Sequence, residues 1–224
     1  MTLDELGRYL GSPSNREQLA EQFGQHVYLS LVPLLLGLLV AVPLGWGAQR
    51  LPSVRAVVFG GASVLYTVPS LALFVVIPGI IGTRTLDSIN VVVALTLYTA
   101  ALLVRSVVGA LDAVPGPVTA AATAMGYRPL RRFLTVELPL AVPVLTAGVR
   151  VASVSNISLV SVGALIGTGG LGVLFTEGFR TRYLAPILVG IVLTLLLALV
   201  VDRALVLARN RLTPWTRSTP GGAR

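Results

Sequence analysis

Five long apolar runs limit what this chain can fold into. Residues 27–48, 56–81 and 184–201 carry no charged side chain. Residues 88–108 hold one charge, Arg105, near their end, and residues 142–166 hold one, Arg150. A helix rises about 1.5 Å per residue, so ~20 mainly apolar residues cross a hydrocarbon core of about 30 Å. Each run therefore reads as a membrane-spanning helix. The expected fold class is an all-α, polytopic membrane protein with about five transmembrane helices. Pro33, Pro43, Pro69 and Pro78 fall inside these runs. They would break soluble helices, whereas packed membrane helices tolerate them because neighbours satisfy the freed carbonyls.

Only 12% of the 224 residues are charged and 54% are hydrophobic, with a mean hydropathy of +0.85. A soluble domain carries roughly 25% charged residues. The net charge is +8, and every basic residue is an arginine. Arginines between apolar runs orient a chain in a membrane, so lipid is the expected partner and nucleic acid is not. The chain has no cysteine, hence no disulfide framework and no thiol chemistry. His26 is its one histidine and cannot form a histidine cluster, so no metal site is expected. At the edge of the first run it reads as an interfacial residue. Residues 1–26 lack the basic start, apolar centre and small-residue cleavage site of a signal peptide. They read as a retained extracytoplasmic segment, an interfacial helix.

Orientation follows from the arginines. An odd number of spans puts three regions on one side. These are the link with Arg50 and Arg55, the segment with Arg128, Arg131 and Arg132, and the tail with Arg203, Arg209, Arg211, Arg217 and Arg224. The positive-inside rule places them in the cytoplasm and the N-terminus outside. The expected organisation is a permease domain over residues 27–208, a cytoplasmic loop over about 113–140, and a disordered cytoplasmic tail over 209–224.

That loop contains "AAATAMGYRPLRRFLTVELP", residues 120–139. Pro115 and Pro117 should stop the third span. Residues 118–125 are rich in alanine and should form a short helix, ended by Gly126. A basic stretch follows, and Leu138-Pro139 is expected to close the unit.

The spacing is Ala120-Ala121-Ala122, three residues, Gly126, nine residues, Val136, Glu137, Leu138-Pro139. It resembles the cytoplasmic signature of membrane subunits of ABC importers, which has glutamate where this chain has Ala120. The resemblance implies a type I ABC importer permease fold in the bacterial cytoplasmic (inner) membrane. It implies a coupling helix that docks on a separate ATPase, through Ala121, Ala122, Met125, Gly126, Arg128, Arg131, Arg132, Leu138 and Pro139. The stretches "LSLVPLLLGLLVAVPLGWGAQR", "LYTVPSLALFVVIPGIIGTRT" and "GALIGTGGLGVLFTEGF" resemble the osmoprotectant branch, permeases for glycine betaine, carnitine or choline. Methionine-type amino-acid permeases are the alternative within the class.

The chain has no Gly-x4-Gly-Lys-Ser/Thr loop and no lysine to complete one. ATP and Mg are therefore expected on a partner ATPase dimer, and no cofactor or enzymatic activity on this chain. A separate extracytoplasmic binding protein would capture the solute. Five helices are too few to enclose a pore, so a second copy or a homologous permease is expected. An ion-coupled transporter would want carboxylates within its spans, and the acidic residues sit near span ends. A membrane scaffold would have no need of the coupling spacing.

Candidates for the translocation path are Arg150, Ser155, Asn156, Tyr66 and Tyr98. A charge inside a span is a functional hypothesis by default. Arg150 is expected to line the vestibule, to pair with Asp112 or Glu137, or to snorkel to the interface. The serines and Asn156 on the fourth span suit helix packing or a polar path. Tyr66, Phe74, Tyr98, Phe175 and Tyr183 could offer ring faces to a quaternary ammonium. The glycines at 163, 167, 169, 170 and 172 read as a gate or an ordinary turn.

Overall fold

The computed structural model describes residues 3–217, and every regular element among them is helical. A short α1 (Leu3–Gly11) precedes α2 (Pro13–Arg50), a helix of 38 residues. Then come α3 (Pro52–Thr67), α4 (Ser70–Ile81) and α5 (Ser88–Asp112). The short α6 (Gly116–Ala124) and α7 (Pro129–Arg132) lead through a π turn (Phe133–Glu137) into α8 (Leu138–Gly163). The chain ends with α9 (Gly172–Thr181), α10 (Leu184–Leu212) and a 3-10 turn at Pro214–Arg217.

Four helical segments are long and apolar enough to cross a membrane: Pro13–Arg50, Ser88–Asp112, Pro129–Ile166 and Leu184–Leu212. The second expected span is different. It is split into α3 and α4, which meet at 107°. Counting this pair as one broken span gives five. The break falls at Val68 and Pro69, both extended (ψ 129° and 134°). Proline disfavours the helical region for the residue before it. Pro33 and Pro43 leave α2 continuous, and Pro143 leaves α8 continuous. At Val68 the exposed carbonyl gains a partner, the Tyr98 hydroxyl of α5, which donates to it.

Three other expected boundaries shift. Residues 13–26 belong to α2, so only α1 stands apart from the first span. The fourth span begins well before residue 142, because the helix runs through Leu138-Pro139. The fifth continues past Val201 to Leu212, so residues 209–212 are helical and 214–217 form a turn where disorder was expected. The rest of the expected tail, residues 218–224, lies outside the described residues.

The core gathers around α5. Leu103, Val107 and Leu111 of α5 are buried with Leu34 and Ala41 of α2 and Ala141, Leu145 and Val149 of α8. Towards the other end, Val91 and Leu95 pack with Leu29 of α2, Phe74 and Ile77 of α4 and Val160 of α8. Phe74 is fully buried there, so its ring face is unavailable to a solute. On α2 the side facing α5 is cut back to glycine. A Cβ at Gly37 would lie 2.5 Å from Thr99, and one at Gly45 would lie 2.5 Å from Val107. Small residues let membrane helices approach closely where no hydrophobic effect draws them together.

Candidate functional site

The basic segment forms a compact hinge at one end of the bundle. Pro115 is extended and Gly116 opens α6, two residues before the expected start. Gly126 has φ +80°, the left-handed region that glycine enters without a Cβ penalty. The turn is closed by the Gly126 amide donating to Thr123 O (2.9 Å) and the Tyr127 amide donating to Ala122 O (3.1 Å). These bonds satisfy carbonyls that the helix end leaves open.

The helix restarts at Pro129 and widens over Phe133–Glu137. A proline inside a helix removes one N–H and presses its ring on the carbonyl four residues back. The wide turn just before Pro139 opens that region, and the Leu138 amide donates to Phe133 O. Leu138 and Pro139 therefore continue the helix where the sequence reading had them close the unit.

Two polar links fix the hinge. The Arg132 guanidinium donates to Thr123 Oγ1 of α6 (2.6 Å) and to Glu137 Oε1 (2.6 Å). Glu137 is buried, so this ion pair is partly desolvated. Phe133 is buried against Trp46 of α2, with ring centroids 4.9 Å apart. The Arg50 guanidinium covers the other part of this stack, 4.4 Å from the Trp46 ring centroid. Nearby, Arg55 pairs with Asp112 at 3.6 Å.

Of the expected coupling residues, Ala121, Met125, Gly126, Arg128 and Arg131 are exposed together on the hinge. Ala122 is buried. Arg132, Leu138 and Pro139 are partly buried and shape the hinge from within. Met125, Leu130 and Leu134 add exposed apolar side chains beside the arginines. The sequence reading missed the Thr123–Arg132–Glu137 chain. The i, i+5 spacing of Arg132 and Glu137 is off the usual helical pairing and meets only through the π turn.

The path candidates separate into three places. Arg150 and Ser155 line an open concavity between α8 and α10, of about 500 Å³, together with Asp202. Arg150 is bound by Asp202, from Nε to Oδ1 (2.5 Å) and from Nη2 to Oδ2 (3.0 Å). This corrects the expected partners: Asp112 holds Arg55 and Glu137 holds Arg132. It also corrects the placement of Asp202 near a span end, because α10 continues ten residues beyond it, about 15 Å at the helical rise. Asn156 points away from this concavity. It is buried, accepts from Thr99 Oγ1 (3.0 Å) and donates to Ser30 O (3.3 Å), tying α8 to α5 and α2. Tyr66 and Tyr98 meet edge to face at 6.0 Å beside the α3–α4 break.

At the far end of α8 from the hinge lies the glycine turn. Gly167, Gly169 and Gly170 all have positive φ. Gln25 of α2 donates to Thr168 O (2.8 Å) and accepts from the Gly170 amide (3.3 Å). His26 Nδ1 accepts from the Leu171 amide (3.1 Å), so its proton sits on Nε2, 3.0 Å from Ile157 O. His26 is fully buried, which corrects its expected interfacial position. The partners that draw it inward come from residues far along the chain. Tyr183 donates to Glu5 O (3.1 Å) and packs on Tyr9, closing α1 over the start of α10. No group of three or more His, Cys, Asp or Glu able to hold a metal occurs among the described residues.

Long apolar helices, a broken helix pair and a basic hinge at one end define a polytopic membrane subunit. The chain belongs to the family of binding-protein-dependent transport system inner membrane components, whose profile matches residues 8–214. It is 34% identical to the osmoprotectant import permease protein OsmW of Salmonella typhimurium, over 89% of this chain and 94% of that protein. It is 35% identical to the carnitine transport permease protein OpuCB of Listeria monocytogenes, over 89% of this chain and 90% of that one. The glycine betaine/carnitine/choline transport system permease protein OpuCB of Bacillus subtilis is 28% identical over 90% of this chain and 91% of its own length. Among solved structures, the inward-facing MetNI methionine ABC transporter superposes with a TM-score of 0.76 at 22% identity, covering 90% of this chain and 99% of that one. An amino acid ABC transporter gives 0.74 at 16% identity, covering 94% and 100%. The fold is that of type I ABC importer permeases.

Proposed function

We propose that this chain is the permease of an ATP-driven importer for osmoprotectants such as glycine betaine, carnitine or choline. The carrying observation is the near-full-length identity of 34–35% to permeases named for osmoprotectants and carnitine. The likeness to the methionine transporter lies at 22% identity and speaks for the fold alone.

In this reading the hinge docks on a separate ATPase. Ala121, Met125, Arg128 and Arg131 meet the partner surface, Gly126 sets the angle, and Ala122, Arg132, Leu138 and Pro139 hold the shape. A helix cross-linked by Arg132 to the start of α8 transmits a push into the membrane. ATP and Mg act on the partner, and this chain performs no covalent chemistry. The N-terminus faces outside, where a binding protein delivers the solute, and the hinge and C-terminus face the cytoplasm. Five spans, with α3 and α4 counted as one broken span, would put the two ends of the chain on opposite sides. A second copy or a homologous permease completes the path.

The test is uptake of labelled glycine betaine in hyperosmotic medium by cells with and without this chain, with methionine in parallel. The expected result is loss of betaine uptake on deletion, with methionine uptake intact. Loss of methionine uptake alone would keep the importer and refute the osmoprotectant.

A further inference from the structure

We propose that the concavity between α3 and α5, at the helix break, is a transit site for zwitterions that carry both a carboxylate and a quaternary ammonium. Arg105 takes the carboxylate and the Tyr66 ring faces the cationic head. The proposal rests on the osmoprotectant reading and adds a preference to it: betaine and carnitine over choline, which has no carboxylate.

The first support is an unbalanced charge. Arg105 lies within α5, is exposed, and has no carboxylate in salt-bridge reach among the described residues. Arg150, in the middle of α8, has its charge met by Asp202. A lone cation facing lipid is costly, so intramembrane arginines face protein or a water-filled cavity and have a partner. Arg105 is held in place without being neutralised. Its Nη2 donates to Ser63 Oγ (2.5 Å) and Phe59 O (3.3 Å), and its guanidinium lies 5.0 Å from the Phe59 ring centroid. Both hydrogen bonds leave from Nη2. The Nε and Nη1 donors have no partner among the described residues, and a carboxylate is the group that fits several guanidinium donors at once.

The second support is the space and its aromatic wall. Arg105, Ser63, Tyr66 and Thr67 line a concavity of about 370 Å³, within the ~300–1,000 Å³ of small-molecule sites. Ser63, which anchors the guanidinium, and Tyr66 are three residues apart on α3. They are neighbours one turn on, roughly 5–6 Å between Cβ atoms. That spacing suits opposite charges separated by a few carbons. Tyr66 is 54% exposed, and Tyr98 braces it edge to face at 6.0 Å. An aromatic face attracts a quaternary ammonium electrostatically.

The third is the backbone. Non-helical backbone at membrane depth is tolerated where it lines a cavity or is buried in protein. Broken helices recur at solute sites in transporters. The α3–α4 break begins directly after Thr67, a residue of this wall.

The test uses the complete importer, with its ATPase and binding protein, in proteoliposomes free of choline lipids. Maximal ATP-driven uptake is measured for glycine betaine and for choline at saturating binding protein. Arg105→Gln is expected to lower betaine uptake about tenfold relative to choline uptake, because a charge-assisted contact to carboxylate is lost. Tyr66→Leu is expected to lower both, and Tyr66→Phe, which keeps the ring face, to preserve both. Equal loss of both solutes in Arg105→Gln, the pattern of a misfolded subunit, would overturn the proposal, as would no change. Suppression of wild-type betaine uptake by added phosphatidylcholine would give the site to a lipid headgroup and also overturn it. A wild-type importer that moves neither solute fails at the osmoprotectant reading itself, and the site proposal falls with it.

Discussion

Gly126→Pro should abolish solute uptake while leaving the ATPase active in an assembled complex. Gly126 holds φ at +80° and its amide donates to Thr123 O. Proline fixes φ near −65° and has no amide proton. The turn that joins α6 to the arm entering α8 cannot then form. A Cβ at this position would meet nothing within 4 Å, so the effect comes from the backbone alone. This orders the milder variants. Asn visits the left-handed region more readily than other residues, whereas Ala pays roughly 1–2 kcal/mol there. Uptake should fall in the order Gly, Asn, Ala, Pro, with the last below about a tenth of wild type. Gly126 itself is exposed and lies outside the buried cluster that joins α5 to Phe133, so folded yield should change little. Uptake rates, paired with ATP hydrolysis by the purified complex, check both halves. Normal uptake by Gly126→Pro would remove the hinge from the mechanism.

Asp202→Asn should reduce the folded yield of the subunit several-fold. Arg150 sits at the middle of α8, and one edge of its guanidinium, Nε and Nη2, is held by both carboxylate oxygens of Asp202 of α10. Taking away the carboxylate leaves a cation among apolar helices. An unpaired charge within a membrane span is costly even where it lines an open concavity. The double replacement Arg150→Leu, Asp202→Leu should therefore recover most of the yield that either single change loses. Fluorescence-monitored size-exclusion chromatography in detergent reads this directly. If the double variant folds and also transports normally, the pair is structural. If it folds and transports poorly, the concavity of Arg150, Ser155 and Asp202 belongs to the path. Wild-type yield from Asp202→Asn alone would contradict the account of the pair.

Much of the architecture was legible in the hydropathy of the chain, and the hinge in its spacing. Charge-free runs mark helices that lie in lipid whatever their tertiary partners are. The αL turn at Gly126 was legible too, since glycine after an alanine-rich helix is a local signal. Three features were hidden because they depend on partners distant in sequence. The helix break falls at Val68 and Pro69, yet Pro33 and Pro43 look the same in sequence and leave α2 intact. What separates them is Tyr98, thirty residues away, which satisfies Val68 O. Asp202 was read as terminal because charge ends the apolar run there. The helix carries on because Arg150 answers that charge from another helix. His26 looked interfacial by position, and only the turn at Leu171 and the carbonyl of Ile157 explain its burial.

The central claim is that ATP hydrolysis by a partner drives solute through this subunit. The most direct measurement is labelled glycine betaine accumulation in proteoliposomes holding this chain, its ATPase and its binding protein. ATP, a non-hydrolysable analogue, or an imposed proton or sodium gradient is supplied in turn. Accumulation with hydrolysable ATP alone, lost in Gly126→Pro, is the expected result. Accumulation that follows the ion gradient and proceeds without ATP would contradict it.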